Sequence, residues 1–171
     1  MLVSLALARF TTAQRTGRRE LLNLSSLLPF LPPTTSLVQL ESLPLPHQYP
    51  LFQSTNILIT QYGSGGHNSV FLKDGSVLIL LLQPGWCDFT WCYANQALLS
   101  NVSVIAICPQ PLDREVESFR FTHKAWWQGP WNTKDASYEV DEGMFEMAVG
   151  IAKEWVEEVS KGAGGQAGKR V

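Results

Sequence analysis

The segment Ile57-Leu-Ile-Thr-Gln-Tyr-Gly-Ser-Gly-Gly-His-Asn-Ser-Val-Phe-Leu72 decides the fold. Its first residues, Ile57 to Thr60, are apolar and β-prone, and they run into Gly63-Ser-Gly-Gly66. His67-Asn68 and a short apolar turn follow. Glycines let a chain turn sharply and approach a ligand closely, and N–H groups at a helix start point at negative charge. The order of strand, glycine loop and helix start therefore predicts a cradle for a phosphate-bearing ligand.

Short apolar runs alternate with helical or loop segments around this loop. Strands are predicted at residues 2–8, 37–40, 56–60, 76–82 and 102–108, and helices at residues 18–28, 45–54 and 89–99. Val77–Leu82 is continuously apolar, as expected of a strand that is buried on both faces. This rhythm predicts an α/β fold with a doubly wound, Rossmann-like parallel sheet.

The last third of the chain breaks this rhythm. Residues 109–138 predict a long loop that holds Trp126, Trp127 and Trp131. Residues 141–159 predict an amphipathic helix. Its apolar stripe comprises Phe145, Ala148, Ile151, Ala152, Trp155, Val156 and Val159. We therefore predict one domain over residues 1–160 and a flexible tail over residues 161–171.

Length and charge limit the classes of function. The chain has 171 residues, 45% of them hydrophobic, a net charge of -2 and a pI near 5.9. One domain with a real core fits these values, and nothing in them favours nucleic acid. Between Leu21 and Leu72 the only Asp, Glu, Lys or Arg is Glu41. This stretch is either a sheet covered by helices or a face that expects a partner domain.

The cysteines and the processing motifs do not define a function. Cys87, Cys92 and Cys108 form no zinc signature, so they are interpreted as free thiols, or as a Cys87–Cys92 or Cys87–Cys108 disulfide in a secretory protein. Asn23-Leu-Ser25 and Asn101-Val-Ser103 fit the N-glycosylation pattern. Residues 2–8 favour a strand over a signal peptide, because a basic start is lacking.

Three general motifs do not fit the glycine loop. No Lys-Ser/Thr pair follows it, so it is not a Walker loop, and Asn68 stands where the dinucleotide fingerprint needs a third glycine. Ser64 lacks one flanking glycine of a nucleophile elbow. His67 is a candidate base or, alternatively, a hydrogen-bonding residue at the helix start, because no carboxylate is placed locally to orient it.

The loop resembles a motif of family 61 glycosyltransferases, in which His-Gly-Ala-Gly-Leu-Thr-Asn, two variable residues and Phe follow a strand. Here Gly63, Gly65, Asn68 and Phe71 match in spacing, while Tyr62 stands in place of the His and Gly66-His67 in place of Leu-Thr. The flanking residues are also similar to the family, and the resemblance runs from about residue 2 to residue 109. The flanking positions concerned are Arg15, Arg18, Arg19, Asn23, Gln48, the strand at residues 75–80 and the helix at residues 89–95.

The resemblance implies the donor-binding C-terminal half of a two-lobed (GT-B) glycosyltransferase. Such an enzyme takes a UDP-sugar donor and a glycan or glycoprotein acceptor, inverts the sugar, and works in the secretory pathway, in the Golgi or ER. The N-terminal lobe would be missing here, so we expect a fragment that is inactive alone. The expected donor-site residues are Arg18, Arg19, Tyr62, Gly63, Ser64, Gly65, Gly66, His67 and Asn68.

The residues are compatible with a nucleotide-sugar donor. Backbone N–H groups of Gly65, Gly66 and His67 can stabilise a diphosphate leaving group. Arg18 or Arg19 can hold a phosphate, or can instead lie on a solvated helix start. No Asp-x-Asp pair is present, so no metal or other cofactor is expected. The tryptophans of residues 126–131 either stack on sugar or uracil or pack beneath the last helix.

Two rival functions stay open. One is a non-catalytic interaction domain that keeps the fold, which Tyr62 in place of the family's His favours. The other is an NAD-linked oxidoreductase, which Asn68 disfavours because a third glycine belongs there.

Overall fold

The computed structural model describes residues 10–13, 21–83, 86–87, 90–108 and 138–166. Within these ranges, five strands and five helices follow one another. They are β1 Phe10–Ala13, α1 Leu24–Leu27, β2 Ser36–Val38, α2 Leu45–Gln53, β3 Ile57–Gln61, α3 Ser64–His67, β4 Val77–Leu81, α4 Thr90–Leu99, β5 Ser103–Ile107 and α5 Glu142–Gln166. Short 3₁₀ turns lie at Leu28–Phe30, Leu40–Ser42 and Asn68–Phe71.

The strands form one parallel sheet in the order β2-β1-β3-β4-β5. Ile57 pairs with Phe10 on one side and with Val77 on the other, so β3 lies at the centre. Each parallel connection crosses over the sheet through a helix. The predicted doubly wound α/β fold is confirmed.

Helices cover both faces of the sheet, and alternate residues of each strand supply the two cores. Ile57 and Ile59 of β3 join a core with α1 and α5, where Leu27, Phe145 and Ala152 are buried. Leu58 of β3 joins a second core with α2 and α4, which contains Phe52 and Tyr93. Because β3 and β4 are buried at every position, continuous apolar runs suit them.

Most predicted strands are present, with ends that differ by one or two residues. The predicted strands at residues 37–40, 56–60, 76–82 and 102–108 correspond to β2, β3, β4 and β5. The first described strand is Phe10–Ala13, which the sequence did not predict. The predicted strand at residues 2–8 lies outside the described residues.

The predicted helices are also present, although the first is shorter. Of the helix predicted at residues 18–28, residues 24–27 form α1, before a 3₁₀ turn that contains Pro29. The prediction was wrong for Leu21, which forms a bridge with Tyr138, and for residues 22–23, which form a turn. Residues 18–20 lie outside the described residues. Helix α2 keeps Pro50 within it. Lys73-Asp74-Gly75, a sequence typical of a tight turn, forms one, with Gly75 at φ 77° and a bond from Ser76 N to Lys73 O of 3.2 Å.

Helix α5 differs from its prediction in its buried stripe and its end. Phe145, Ala148, Ala152 and Val156 are buried as predicted, and so is Val149, which was not. The prediction was wrong for Ile151 and Trp155, which are 50% and 44% exposed. The helix continues to Gln166, so residues 161–166 of the predicted tail are helical. Residues 167–171 lie outside the described residues.

A set of long-range hydrogen bonds ties the chain before α1 to the chain before α5. Leu22 N donates to Tyr138 O at 2.9 Å. The Asn23 side chain donates to Val140 O at 2.7 Å and accepts from Val140 N at 3.1 Å. Tyr138 Oη in turn donates to Leu81 O at 2.8 Å, at the end of β4. These bonds hold α5 against the sheet.

Among the described helices, none is long and apolar enough to cross a membrane.

Candidate functional site

The glycine loop lies at the carboxyl end of β3, beside the point where the strand order reverses. Chain order runs outward from β1 to β2 on one side and from β3 to β5 on the other. In doubly wound sheets the crossover connections diverge at such a point, and a crevice is expected at the carboxyl ends of the two strands, which are β1 and β3 here. Tyr62 follows β3, and Gly63 and Ser64 come next at this edge. Doubly wound sheets bind their ligands at such a switch point.

Gly63 gives the loop its sharp turn. Its φ of 139° and ψ of -164° lie in a region that only glycine adopts without strain. Its N–H donates to the Tyr93 hydroxyl oxygen at 3.1 Å, and that hydroxyl donates to the Gly63 carbonyl at 3.1 Å. Tyr93 of α4 therefore fixes the start of the loop.

Gly65 and Gly66 serve close packing. A Cβ on Gly65 would lie 2.5 Å from Thr60 Oγ1, and a Cβ on Gly66 would lie 2.6 Å from the Tyr93 ring. These positions face β3 and α4, so the glycines let α3 lie against the sheet. The N–H of Gly66 donates to Gly63 O at 3.0 Å, so in this conformation it is not the phosphate donor that the sequence predicted.

Aromatic side chains support the loop from below. Tyr62 is half-buried, and its ring centroid lies 4.9 Å from Trp86 and 5.6 Å from Tyr93. The His67 ring stacks on Tyr93 at 4.9 Å. Tyr62, which stands where the family motif has His, is thus part of the core beside α4.

His67 has a neutral partner. Its Nδ1 lies 2.6 Å from Gln96 Oε1, and Gln96 Nε2 donates to the His67 carbonyl at 3.3 Å. A general base is usually oriented by a carboxylate or a carbonyl on its second nitrogen. Gln96 Oε1 is such a carbonyl, so the Gln96 contact and the stacking on Tyr93 orient the His67 ring, and both interpretations of His67 stay predictions.

The structure brings together seven consecutive residues, which run from the end of β3 through α3 to the start of the next 3₁₀ turn: Tyr62, Gly63, Ser64, Gly65, Gly66, His67 and Asn68. Ser64 and His67 are exposed there. Arg18, Arg19, Trp126, Trp127 and Trp131 lie outside the described residues, so their predicted contacts with the loop stay predictions.

One polar residue at this edge was missed by the sequence analysis. Gln61, the last residue of β3, is only 6% exposed. Its side-chain Nε2 and Oε1 have no hydrogen-bond partner among the residues that the structure describes. An amide at the end of the apolar run Ile57–Thr60 was the available signal, because unpaired buried amides are rare in native proteins.

Neither metal nor disulfide chemistry is built into the described part of the chain. There, His, Cys, Asp and Glu form no group of three that could hold a metal ion. Cys87, Cys92 and Cys108 are half-buried, and the two interpretations of them stay predictions.

A surface cavity of about 410 Å³ lies elsewhere, at the edge formed by β2 and α2. Ser36, His47 and Ser54 are among its lining residues. The lining includes no residue of the glycine loop, so this cavity is separate from the candidate site.

Comparison with known families supplies the remaining observation. Residues 2–79 match the family described as Glycosyltransferase 61. The match runs from before β1 through Ile79 in β4, and it contains the whole glycine loop. It supports the resemblance to family 61 glycosyltransferases over these residues. The resemblance of residues 80–109 to the family extends past the matched segment and stays a prediction. No curated protein matches the chain with significance.

Proposed function

We propose that this chain is the nucleotide-sugar-binding domain of a family 61 glycosyltransferase, with the donor at the carboxyl ends of β1 and β3. One observation carries the proposal. The glycine loop lies at the switch point of a doubly wound sheet, within the segment that matches Glycosyltransferase 61.

The neighbourhood of the loop suits a diphosphate group. From Ser42 to Leu72 the chain carries no Asp or Glu, so no carboxylate of this stretch repels an anion at the loop. Ser64 is exposed at the first position of α3 and offers a hydroxyl donor. Arg18 and Arg19 follow β1, whose carboxyl end borders the same crevice, and are proposed as phosphate contacts.

The finer features of the proposal come from the family. The donor is a UDP-sugar, transfer inverts the sugar, and no metal takes part. The acceptor is a glycan or glycoprotein of the secretory pathway, bound by a second lobe in a GT-B arrangement. The described residues supply no such lobe, so we expect donor binding without transfer by this chain alone.

Calorimetry with UDP and UDP-sugars tests the proposal. Saturable binding of UDP at concentrations below about 1 mM, with a weaker response to inorganic phosphate, is the expected result. Absence of binding at millimolar UDP and at millimolar UDP-sugar would refute the donor-site assignment.

Ser64→Asp tests the position of the site. A carboxylate at the exposed start of α3 repels the diphosphate, so UDP affinity should fall about tenfold or more. Ser25→Asp is the matched control, because Ser25 is also an exposed serine of a four-residue helix but lies on α1. Equal affinities in the two variants would place the diphosphate elsewhere.

A non-catalytic interaction domain is the second candidate. The observation that favours it is Tyr62, which packs on Trp86 and Tyr93 where the family motif has His. The interaction-domain hypothesis predicts a folded protein that binds neither UDP nor UDP-sugar, so the same titrations distinguish the two candidate functions.

A further inference from the structure

We infer that the carboxamide of Gln61 contacts the uncharged part of the bound nucleotide sugar, either a base edge or a pair of sugar hydroxyls. This inference rests on the proposed function. It assigns a specificity-determining residue to a site otherwise defined only by its phosphate loop.

The first step is the state of the Gln61 side chain. It is 6% exposed, and among the described residues neither its Nε2 nor its Oε1 has a hydrogen-bond partner. Leaving a buried amide unpaired costs free energy of folding, because the group has lost its water. By contrast, Gln48 of α2, a half-buried glutamine, donates to Leu40 O at 3.0 Å and to Leu43 O at 2.7 Å.

The second step is direction. Residues of a strand alternate between the two faces of a sheet, and Ile57 and Ile59 face the core beneath α1 and α5. Gln61 therefore points to that face, while Thr60 and the packed glycines of α3 lie on the other. Gln61 precedes Gly63 by two residues, about 7 Å along a strand. A nucleotide sugar whose diphosphate lies at the loop is long enough to reach it.

The third step is chemistry. A carboxamide offers two N–H donors beside one carbonyl acceptor and carries no charge. A phosphate oxygen only accepts, so it would leave Oε1 unsatisfied. A ligand group with a donor next to an acceptor satisfies both ends, and base edges and vicinal sugar hydroxyls have this pattern. Since the amide can flip, Gln61 suits either group.

The test compares Gln61→Leu with the unchanged chain in calorimetry with three probes: pyrophosphate, UDP and a UDP-sugar. Two hydrogen bonds are lost, so we expect about a tenfold loss of affinity. A loss for both UDP and UDP-sugar assigns Gln61 to the base, and a loss for UDP-sugar alone assigns it to the sugar. Pyrophosphate affinity should stay unchanged in either case.

Thermal unfolding supplies a readout that a purely structural residue would not give. Gln61→Leu removes an unpaired polar group, so the melting temperature of the ligand-free protein should rise or stay equal while affinity falls. Gln48→Leu is the matched control, because it removes two formed bonds and should lower the melting temperature without changing UDP affinity. Gln61→Met provides a second variant if leucine does not fold.

The outcomes separate this inference from the proposed function. If the unchanged chain binds UDP and UDP-sugar and Gln61→Leu and Gln61→Met bind both equally well, the Gln61 contact is refuted and the donor site stands. If the unchanged chain binds neither ligand, both proposals fall.

Discussion

The addition of a single methyl group to Gly66 would make this residue overlap Tyr93. Gly66→Ala would place Cβ 2.6 Å from the ring, so either α3 or α4 must shift. We expect a loss of about 1–3 kcal/mol in the free energy of unfolding, measured by urea titration. Gly150→Ala in α5 is the control, because nothing lies within 4 Å of its Cβ position, and it should gain up to about 1 kcal/mol. Equal stabilities would contradict the packing role.

The two N-glycosylation patterns differ in the accessibility of their asparagine side chains. Both amide atoms of Asn23 bond to Val140, whereas Asn101 is exposed in a turn with φ 52°. If the chain is expressed through a secretory pathway, we expect a glycan on Asn101 and none on Asn23. Mass spectrometry after glycosidase treatment checks this, and a glycan on Asn23 would conflict with the described Asn23–Val140 bonds.

The residues of the site were predictable in part. The spacing of Gly63, Gly65, Asn68 and Phe71 located the loop and its resemblance to family 61 glycosyltransferases, because those positions lie within nine residues of one another. The packing role of Gly65 and Gly66 was not predictable from the sequence, since Thr60 and Tyr93 come close to these glycines only in the folded chain. Gln61 was missed, although an amide ends the apolar run Ile57–Thr60, because the sequence does not show whether that side chain is paired in the fold.

The start of α5 depends on one cap. Asp141 Oδ1 accepts from Met144 N at 2.8 Å, and Asp141 O accepts from Phe145 N at 3.0 Å. Asp141→Ala should lower the free energy of unfolding by about 1 kcal/mol, measured by thermal or chemical denaturation. Asp141→Asn keeps an oxygen acceptor and should lose much less. An alanine variant as stable as the asparagine variant would show that the cap contributes nothing.

At the level of elements, the central strands were the easiest to predict. β3 and β4 are buried on both faces, so their apolar runs have one interpretation in an α/β chain. The apolar stripe of α5 was harder to predict, because helical spacing groups more apolar residues on one side of the helix than the sheet can cover. The sheet buries Val149 and leaves Ile151 and Trp155 at its margin.

For the molecule as a whole, charge is divided between the two helical layers. Within their described bounds α2, α3 and α4 carry no Asp, Glu, Lys or Arg, whereas α5 carries seven, at residues 142, 146, 153, 154, 157, 158 and 161. Of the two interpretations of the charge-poor stretch, the sheet covered by helices is confirmed for β3, which is buried at every position, whereas Leu37 of β2 is 51% exposed. Composition alone could not predict which helical layer carries the charged residues, because the strand order decides which face of the sheet each helix covers.

The uncharged layer predicts how surface changes affect solubility. Leu98 and Leu99 at the end of α4 are 78% and 90% exposed. Replacing both by Glu changes the net charge from -2 to -4 and should change the free energy of unfolding by less than about 0.5 kcal/mol per site. The solubility limit should rise, as measured by precipitation with ammonium sulfate. A large loss of stability would show that these leucines are packed in solution.

The bonds from residues 22–23 to residues 138–140 also bear on the order of events during synthesis. Their partners are 117 residues apart in the case of Asn23 and Val140. A ribosome adds about 5–20 residues per second, so Asn23 waits several seconds or more before Val140 has been made. During that interval the α1 side of the sheet has no α5 to cover it, and the nascent apolar strands are open to chaperones. Slower translation after residue 108 would prolong this exposure and lower the yield of native protein.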